Sequence, residues 1–351
     1  METAPKVVDF LAHPQSNAEL ALDDLNGKEA AAGLCRLPRG PDFVLVGHAK
    51  SGTTALYEML RQHPEIFLPD LKEPQFLASD LRWRFQPPIF GPHPSTLEEY
   101  LALFAAATPS QQAGEATTLY LFSNTAASSI ASLNPRARII AIFREPTSFL
   151  RSLHLHFLRT HNESERSLAK AMELEAERRL GRHVPRRSFR PQQLRYSEYV
   201  RYTDQLGRYH AAFPTEQVLA LIYDDFRRAN EATVRRVLKF LGVDDSVSFM
   251  LKEVNPSVAV RSQFLDDAIH RFSVGRGPFS RTVKESIKAV TPQSGRRRLL
   301  HGVQSQVARS SPPPPDDALM AELRVRLKPE VERFSNYLGR DLVTLWGYNS
   351  V

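Results

Sequence analysis

Three short apolar runs, each followed by a helical pattern, organise this chain. Phe43–Val46 leads through a glycine turn into the helix-like Thr54–Arg61, which stops before His63-Pro64. Arg138–Phe143 reads as a buried strand, and Arg144-Glu145-Pro146 then opens a helix to about Leu158. Val218–Tyr223 is the third run, followed by Asp224-Asp225 and the amphipathic Glu231–Leu241, closed by Gly242. Runs this short, bounded by turn residues and separated by helical periodicity, predict strands. Strands alternating with helices predict an α/β single domain whose central parallel β-sheet is flanked by helices. Ligands of such sheets bind beyond the carboxyl ends of the strands.

The remainder is peripheral to that plan. Residues 1–40 read as an N-terminal arm with one helical pattern around Ala18–Leu34, and the domain is expected over 41–351. Pro312–Pro315 is a stiff break. Beyond it, 316–338 is expected as a C-terminal helix packed on the domain: Leu319, Leu323, Leu327, Val331, Phe334 and Leu338 form one stripe, and Gly339 stops it. Two stretches are rich in arginine, Arg178–Arg195 and Arg271–Arg298. Each is either a solvated basic face or a lid that binds an anion or substrate. Neither alternates with aromatics as a single-strand stacking platform does.

Composition narrows the partners more than the fold. The 351 residues are 42% hydrophobic, enough for a sizeable core, and carry a formal net charge of +7. That charge suits a polyanion, whether nucleic acid, acidic lipid or a small phosphorylated cofactor. The lone cysteine, Cys35, excludes an internal disulfide framework and fits a reducing compartment. No signal-peptide pattern opens the chain, and no apolar run reaches the roughly 18 residues of a membrane span. A cytoplasmic protein without a transmembrane segment is the expectation.

The first loop carries the chemistry. Gly47-His48-Ala49-Lys50-Ser51-Gly52-Thr53-Thr54 is P-loop-like, with the glycine spacing of a triphosphate loop, but its lysine lies inside the loop and position 53 is threonine. Backbone N–H groups of such a turn, opening a helix, still wrap an anion. In a nucleotide triphosphatase a neighbouring strand ends in a metal-holding aspartate; here the second strand ends in Arg144, suited to bidentate phosphate contact. Ser152 lies two helical turns further on the same face. Two phosphate cradles without an obvious metal carboxylate point to 3′-phosphoadenosine 5′-phosphosulfate (PAPS).

Lys50-Ser51-Gly52-Thr53-Thr54, the Arg144…Ser152 pair, Lys72-Glu73-Pro74-Gln75-Phe76 and Gly114-Glu115-Ala116-Thr117 together resemble the PAPS-dependent sulfotransferase superfamily. Most similar are bacterial members and the sulfotransferase domains that modify heparan sulfate. The resemblance runs from Phe43 to Gly242, with a weaker echo in Leu338–Leu342. It implies that Lys50 reaches the oxygen bridging phosphate and sulfuryl group. It implies also that Ser51, Gly52, Thr53 and Thr54 cradle the 5′-phosphate, while Arg144 and Ser152 bind the 3′-phosphate. Glu73 matches the catalytic carboxylate that takes the acceptor's proton, Lys72 helps bind the acceptor or adjusts Glu73, and no metal is required. The implied acceptor is a hydroxyl or amine of a saccharide, lipid or small metabolite, with no nucleic acid as partner. Ala116 stands where heparan-type enzymes often carry lysine, Leu77 replaces their second phenylalanine, and the Arg-Lys-Gly signature of cytosolic members is missing; Arg261 is a weak substitute for it.

Other readings compete. Glu115 is the rival base, unless it orients the first loop. A kinase or triphosphatase would place Mg²⁺ on Asp224 or Asp225, and a noncatalytic basic module would use the arginine stretches. His154 and His156, two apart on a helix, face different ways and make a poor metal pair; His48 lies in the loop with no assigned direction.

Overall fold

The computed structural model describes residues 39–81, 83–84, 93–250 and 314–351, and the backbone alone at 259–260 and 309–310. The helical pattern at Ala18–Leu34, Arg261 and the stretch Arg271–Arg298 lie outside the described residues.

β1 (Phe43–Gly47), β2 (Ile66–Phe67), β3 (Gln112–Ala116), β4 (Arg138–Phe143) and β5 (Val218–Ile222) form one parallel sheet in the order β2-β3-β1-β4-β5. All three apolar runs are therefore strands, and the architecture is the expected α/β one. Successive side chains leave a strand on opposite faces. Val44, Val46, Ile139, Ala141 and Phe143 accordingly enter one buried cluster, and Phe43, Leu45, Ile140 and Ile142 the other. With both faces covered, the strands need no polar alternation, which is why they read as continuous apolar runs.

β3 escaped the pattern, since Gln112-Ala113-Gly114-Glu115-Ala116 has no branched apolar residue. Its place comes from packing: Gly114 pairs with Phe43, and a Cβ there would lie 2.2 Å from the Phe43 ring. Only glycine fits beneath that ring.

Helices α1 (Thr53–Leu60), α2 (Leu97–Ala102), α3 (Ala126–Leu133), α4 (Pro146–Arg159), α5 (Leu168–Glu173), α6 (Glu175–Arg179), α7 (Tyr196–Tyr199), α8 (Tyr202–Ala212), α9 (Tyr223–Arg228), α10 (Asn230–Leu241), α11 (Asp317–Leu338) and α12 (Leu342–Leu345) surround the sheet. α4 starts where Glu145 accepts hydrogen bonds from the Thr147 and Ser148 N–H groups, with Pro146 in the first turn. The Tyr348 hydroxyl also donates to Glu145, at 2.7 Å, tying the chain's end to that start. α11 packs against α4 and α8, and its stripe residues Leu323, Leu327, Val331 and Phe334 are buried. Arg340 then grips Asp225 through two nitrogens at 2.5 and 2.8 Å, and the Trp346 indole donates to Asp224 at 3.1 Å. The C-terminal segment is thus fastened beside the carboxyl ends of β4 and β5.

Candidate active site at the carboxyl ends of the strands

The loop between β1 and α1 turns through two left-handed residues, Lys50 (φ 60°) and Gly52 (φ 85°). Gly52 is needed twice over, because a Cβ there would lie 2.9 Å from the Phe226 ring. Lys50 adopts this backbone at a cost of about 1–3 kcal/mol, and the Arg144 Nη1 holds it by donating to the Lys50 carbonyl at 3.0 Å. α1 begins without a side-chain cap, so its first N–H groups remain available to an anion. Ser51 and Thr53 are buried in the turn, and Thr54 is exposed.

His48 faces inward. Its Nε2 donates to Gln205 Oε1 at 2.8 Å, among the rings of Phe143, Phe149 and Tyr202. Burial pushes its pKa down to about 3, which keeps the ring neutral. It is a packing residue under the loop.

Arg144 extends from the end of β4 with its guanidinium over the Tyr223 ring at 4.8 Å, while its carbonyl accepts from the Tyr202 hydroxyl at 2.9 Å. Arg144 and Ser152 wall the same cavity of about 260 Å³, together with Ser148, Arg151 and, from α11, Arg324. The pairing expected from spacing is therefore present in space. Lys50 is mostly buried, and burial followed by the charges of Arg159 and Arg144 pulls its pKa down to about 8. His156 is lowered to about 3, by burial first and then by Lys50 and Arg159. Cations crowd here at mutual expense, and an anion among them would relieve the repulsion. Arg151, Arg159 and Arg324 were missed from sequence. Arg151 and Arg159 could have been found, standing three and eleven residues after Ser148 on one face of α4; Arg324 lies on a distant helix and had no signal.

Glu73 lies on the loop after β2, beside the end of β3. Its backbone is left-handed (φ 63°), as is that of Gln75 (φ 59°), and the segment is pinned to β3 by Glu73 N–H donating to Ala116 O at 2.9 Å. Lys72 Nζ lies 2.9 Å from Glu73 Oε1, and the Thr118 hydroxyl reaches both carboxylate oxygens at 3.2 and 3.1 Å. Its side chain is 31% exposed. Glu115, the rival, is fully buried. It accepts from the Tyr100 hydroxyl at 2.5 Å and the Thr117 hydroxyl at 2.9 Å, and burial pushes it up to about 7. Thr117 Oγ1 in turn accepts from Gln75 N–H at 3.3 Å, so Glu115 sits under the segment that carries Glu73.

Asp224 and Asp225, the carboxylates a triphosphatase would use, are engaged by Trp346 and Arg340. His154 bonds the Tyr196 hydroxyl and the Arg166 carbonyl, apart from His156. Among the described residues, no three His, Cys, Asp or Glu side chains gather as a metal site. No helix among them is long and apolar enough to cross a membrane.

A parallel α/β sheet whose central strand leads through a left-handed glycine turn into a helix is a phosphate-loop-like fold. Residues 41–246 match the model of the sulfotransferase family, and the chain belongs to that family. It is 30% identical over 213 residues to the mouse (Mus musculus) bifunctional heparan sulfate N-deacetylase/N-sulfotransferase 4, covering 58% of this chain and 22% of the relative. It is 26% identical over 170 residues to human (Homo sapiens) carbohydrate sulfotransferase 15, covering 36% of this chain and 28% of the relative. The chain thus spans under a third of either relative's length. The fold is shared with a sulfotransferase from Alicyclobacillus acidocaldarius at TM-score 0.61 and 24% identity, over 88% of this chain and 98% of that one.

Proposed function

We propose that this chain, through residues 41–351, transfers a sulfuryl group from PAPS to a hydroxyl or amine of a saccharide, lipid or small metabolite. The observation that carries the reading is the convergence of Lys50, Arg144 and Arg159, with the Arg144 guanidinium bonded to the Lys50 carbonyl at 3.0 Å. Such a site suits a ligand with several negative charges. The loop N–H groups of Ser51, Gly52, Thr53 and Thr54 would take the 5′-phosphate, and Arg144 with Ser152 the 3′-phosphate in the cavity they share. When bound, the donor supplies an activated sulfuryl group. Lys50 offers its ammonium to the bridging oxygen, where negative charge develops as the bond to sulfur breaks. Glu73 takes the acceptor's proton, a role that fits a partly exposed carboxylate held by Lys72 and Thr118. Nothing in these roles calls on a metal.

Calorimetry with 3′-phosphoadenosine 5′-phosphate in EDTA tests the donor assignment. Tight binding is expected in the unaltered protein, with a loss of roughly tenfold or more in Lys50→Ala and in Arg144→Ala. Affinity should also fall as pH rises through about 8, where Lys50 loses its proton, and Lys50→Arg should remove that fall. Binding of ATP that requires Mg²⁺, with none of the 3′-phosphorylated ligand, would sink the reading.

A further inference from the structure

The arginine-rich segment after α6 does not belong to the donor site, yet it walls a larger cavity. Trp83, Arg84, Arg179, Gln192 and Arg195, among others, line an open cavity of about 490 Å³. Arg178 also borders it, but that guanidinium is spent on Glu163, two bonds of 2.7 and 2.9 Å with both side chains buried. The other three are not balanced. Arg179 and Arg195 share one carboxylate, Glu198, at 2.9 and 3.7 Å, and Arg84 is exposed with no carboxylate partner among the described residues. Glu175 also lies within the field of Arg179, so three cations meet two carboxylates here and Arg84 is the one left over. The Gln192 Oε1 is buried and has no donor, a group that a ligand hydroxyl would satisfy.

The cavity's Trp83 is linked through His93 to the backbone of Glu73, the residue assigned to proton transfer. The Trp83 ring meets His93 edge-on at 5.7 Å, and His93 Nε2 donates to the Glu73 carbonyl at 3.1 Å. Trp83 is backed by Arg190, whose guanidinium lies over the ring at 4.1 Å. Arg190 is 2% exposed, its Nε lacks a partner, and its field reaches Glu73. Among the described residues no carboxylate hydrogen-bonds this guanidinium, so it adds to the positive potential of the wall.

We infer that this cavity is the acceptor subsite, and that it selects a saccharide already bearing an anionic group, a carboxylate or a sulfate ester. Arg84 and Arg195 hold the anion, Gln192 accepts from a ring hydroxyl, and Trp83 forms the apolar wall that leads toward Glu73. The inference rests on the sulfotransferase reading above and adds to it the charge class of the acceptor.

The test is binding at physiological salt with 3′-phosphoadenosine 5′-phosphate saturating. The probes are a hyaluronan hexasaccharide (carboxylates), a sulfated cellohexaose (sulfate esters), chitohexaose (neutral) and a thymidine hexanucleotide. At least one acidic saccharide should bind about tenfold or more tightly than chitohexaose, and whichever does identifies the anion. Arg84→Gln combined with Arg195→Gln should abolish that preference while nucleotide affinity stays unchanged. Both side chains reach solvent, so the fold should survive the change. Equal binding of acidic and neutral saccharides, no saccharide binding, an unaltered preference in the double variant, or hexanucleotide binding as tight as the best saccharide would each overturn the inference. Failure of the unaltered protein to bind the nucleotide would instead strike the donor assignment.

Discussion

Glu73 and Glu115 are neighbours through one backbone bond, from Glu73 N–H to Ala116 O, but they occupy different surroundings. Glu115 lies within β3, fully buried, with Tyr100 and Thr117 donating to its two oxygens. Glu73 lies on a loop with left-handed backbone, partly exposed, and its oxygens meet an ammonium and a hydroxyl at the surface of the site. By the rule that perturbed pKa values gather at functional sites, Glu115 is the stronger candidate, raised to about 7. The cause of the shift argues otherwise. Burial dominates it, and burial also denies an acceptor access to the carboxylate, whereas a base must come within hydrogen-bond reach of the proton it takes. Loop strain at Glu73 and Gln75 is the kind of cost that persists where surrounding structure enforces it, and here β3 does so.

The widest separation should appear in turnover. Glu73→Gln is expected to lower kcat by about 10²–10⁴-fold while leaving nucleotide affinity intact, as single-turnover assays with labelled donor would report. Glu115→Gln should keep turnover within a few-fold. If the two variants exchange these outcomes, the assignment moves to Glu115 and the exposed carboxylate becomes a surface charge.

Stability should separate them in the reverse direction. Glu115→Ala strands two hydroxyls and opens a cavity, a loss of about 2–4 kcal/mol in chemical denaturation, against about 0.5 kcal/mol or less for Glu73→Gln. The pH dependence sharpens this. A carboxyl raised when folded stabilises the protein fully below its unfolded pKa and loses that contribution as pH rises through the folded value. For Glu115 the window runs from 4.5 to about 7, and the loss across it is on the order of 3 kcal/mol. Glu115→Gln should flatten that part of the curve; parallel curves for the two proteins would show that burial leaves this carboxyl unshifted.

Lys50, Arg144 and Ser152 could be singled out because each lies at a fixed offset from a strand end or glycine turn, and such offsets survive in one dimension, whereas Glu73 was reached only through the family resemblance. β1, β4 and β5 were legible for a related reason: strands covered on both faces write their burial as apolar runs. β3 was not, since its fit depends on Gly114 meeting the Phe43 ring, a contact that composition does not encode. The stretch Arg178–Arg195 resisted for the same kind of reason. Arg182 pairs with Glu177 at the surface, Arg178 is buried on Glu163, fifteen residues upstream, and Arg190 is buried over Trp83. Identical side chains in one run thus take three roles, and for Arg178 and Arg190 the role is set by a partner that the local sequence does not contain. Arg324 reaches the Arg144 cavity only because α11 returns to α4.

The smallest expected effect bears on what holds Glu73 rather than on the carboxylate itself. Thr118 follows β3 and offers one hydroxyl hydrogen to two oxygens at nearly equal distances, 3.2 and 3.1 Å, so it steers the carboxylate without fixing one oxygen. One such bond contributes about 1 kcal/mol, so Thr118→Val should lower kcat by roughly 3- to 10-fold with nucleotide affinity unchanged. Thr118→Ser, which restores the hydroxyl but not the methyl group, should recover most of that loss. A positioning role requires this recovery. If serine behaves like valine, the methyl packing matters and the hydroxyl does not. Glu73 would then be oriented by Lys72 alone, and Lys72→Met should produce the larger defect of the two.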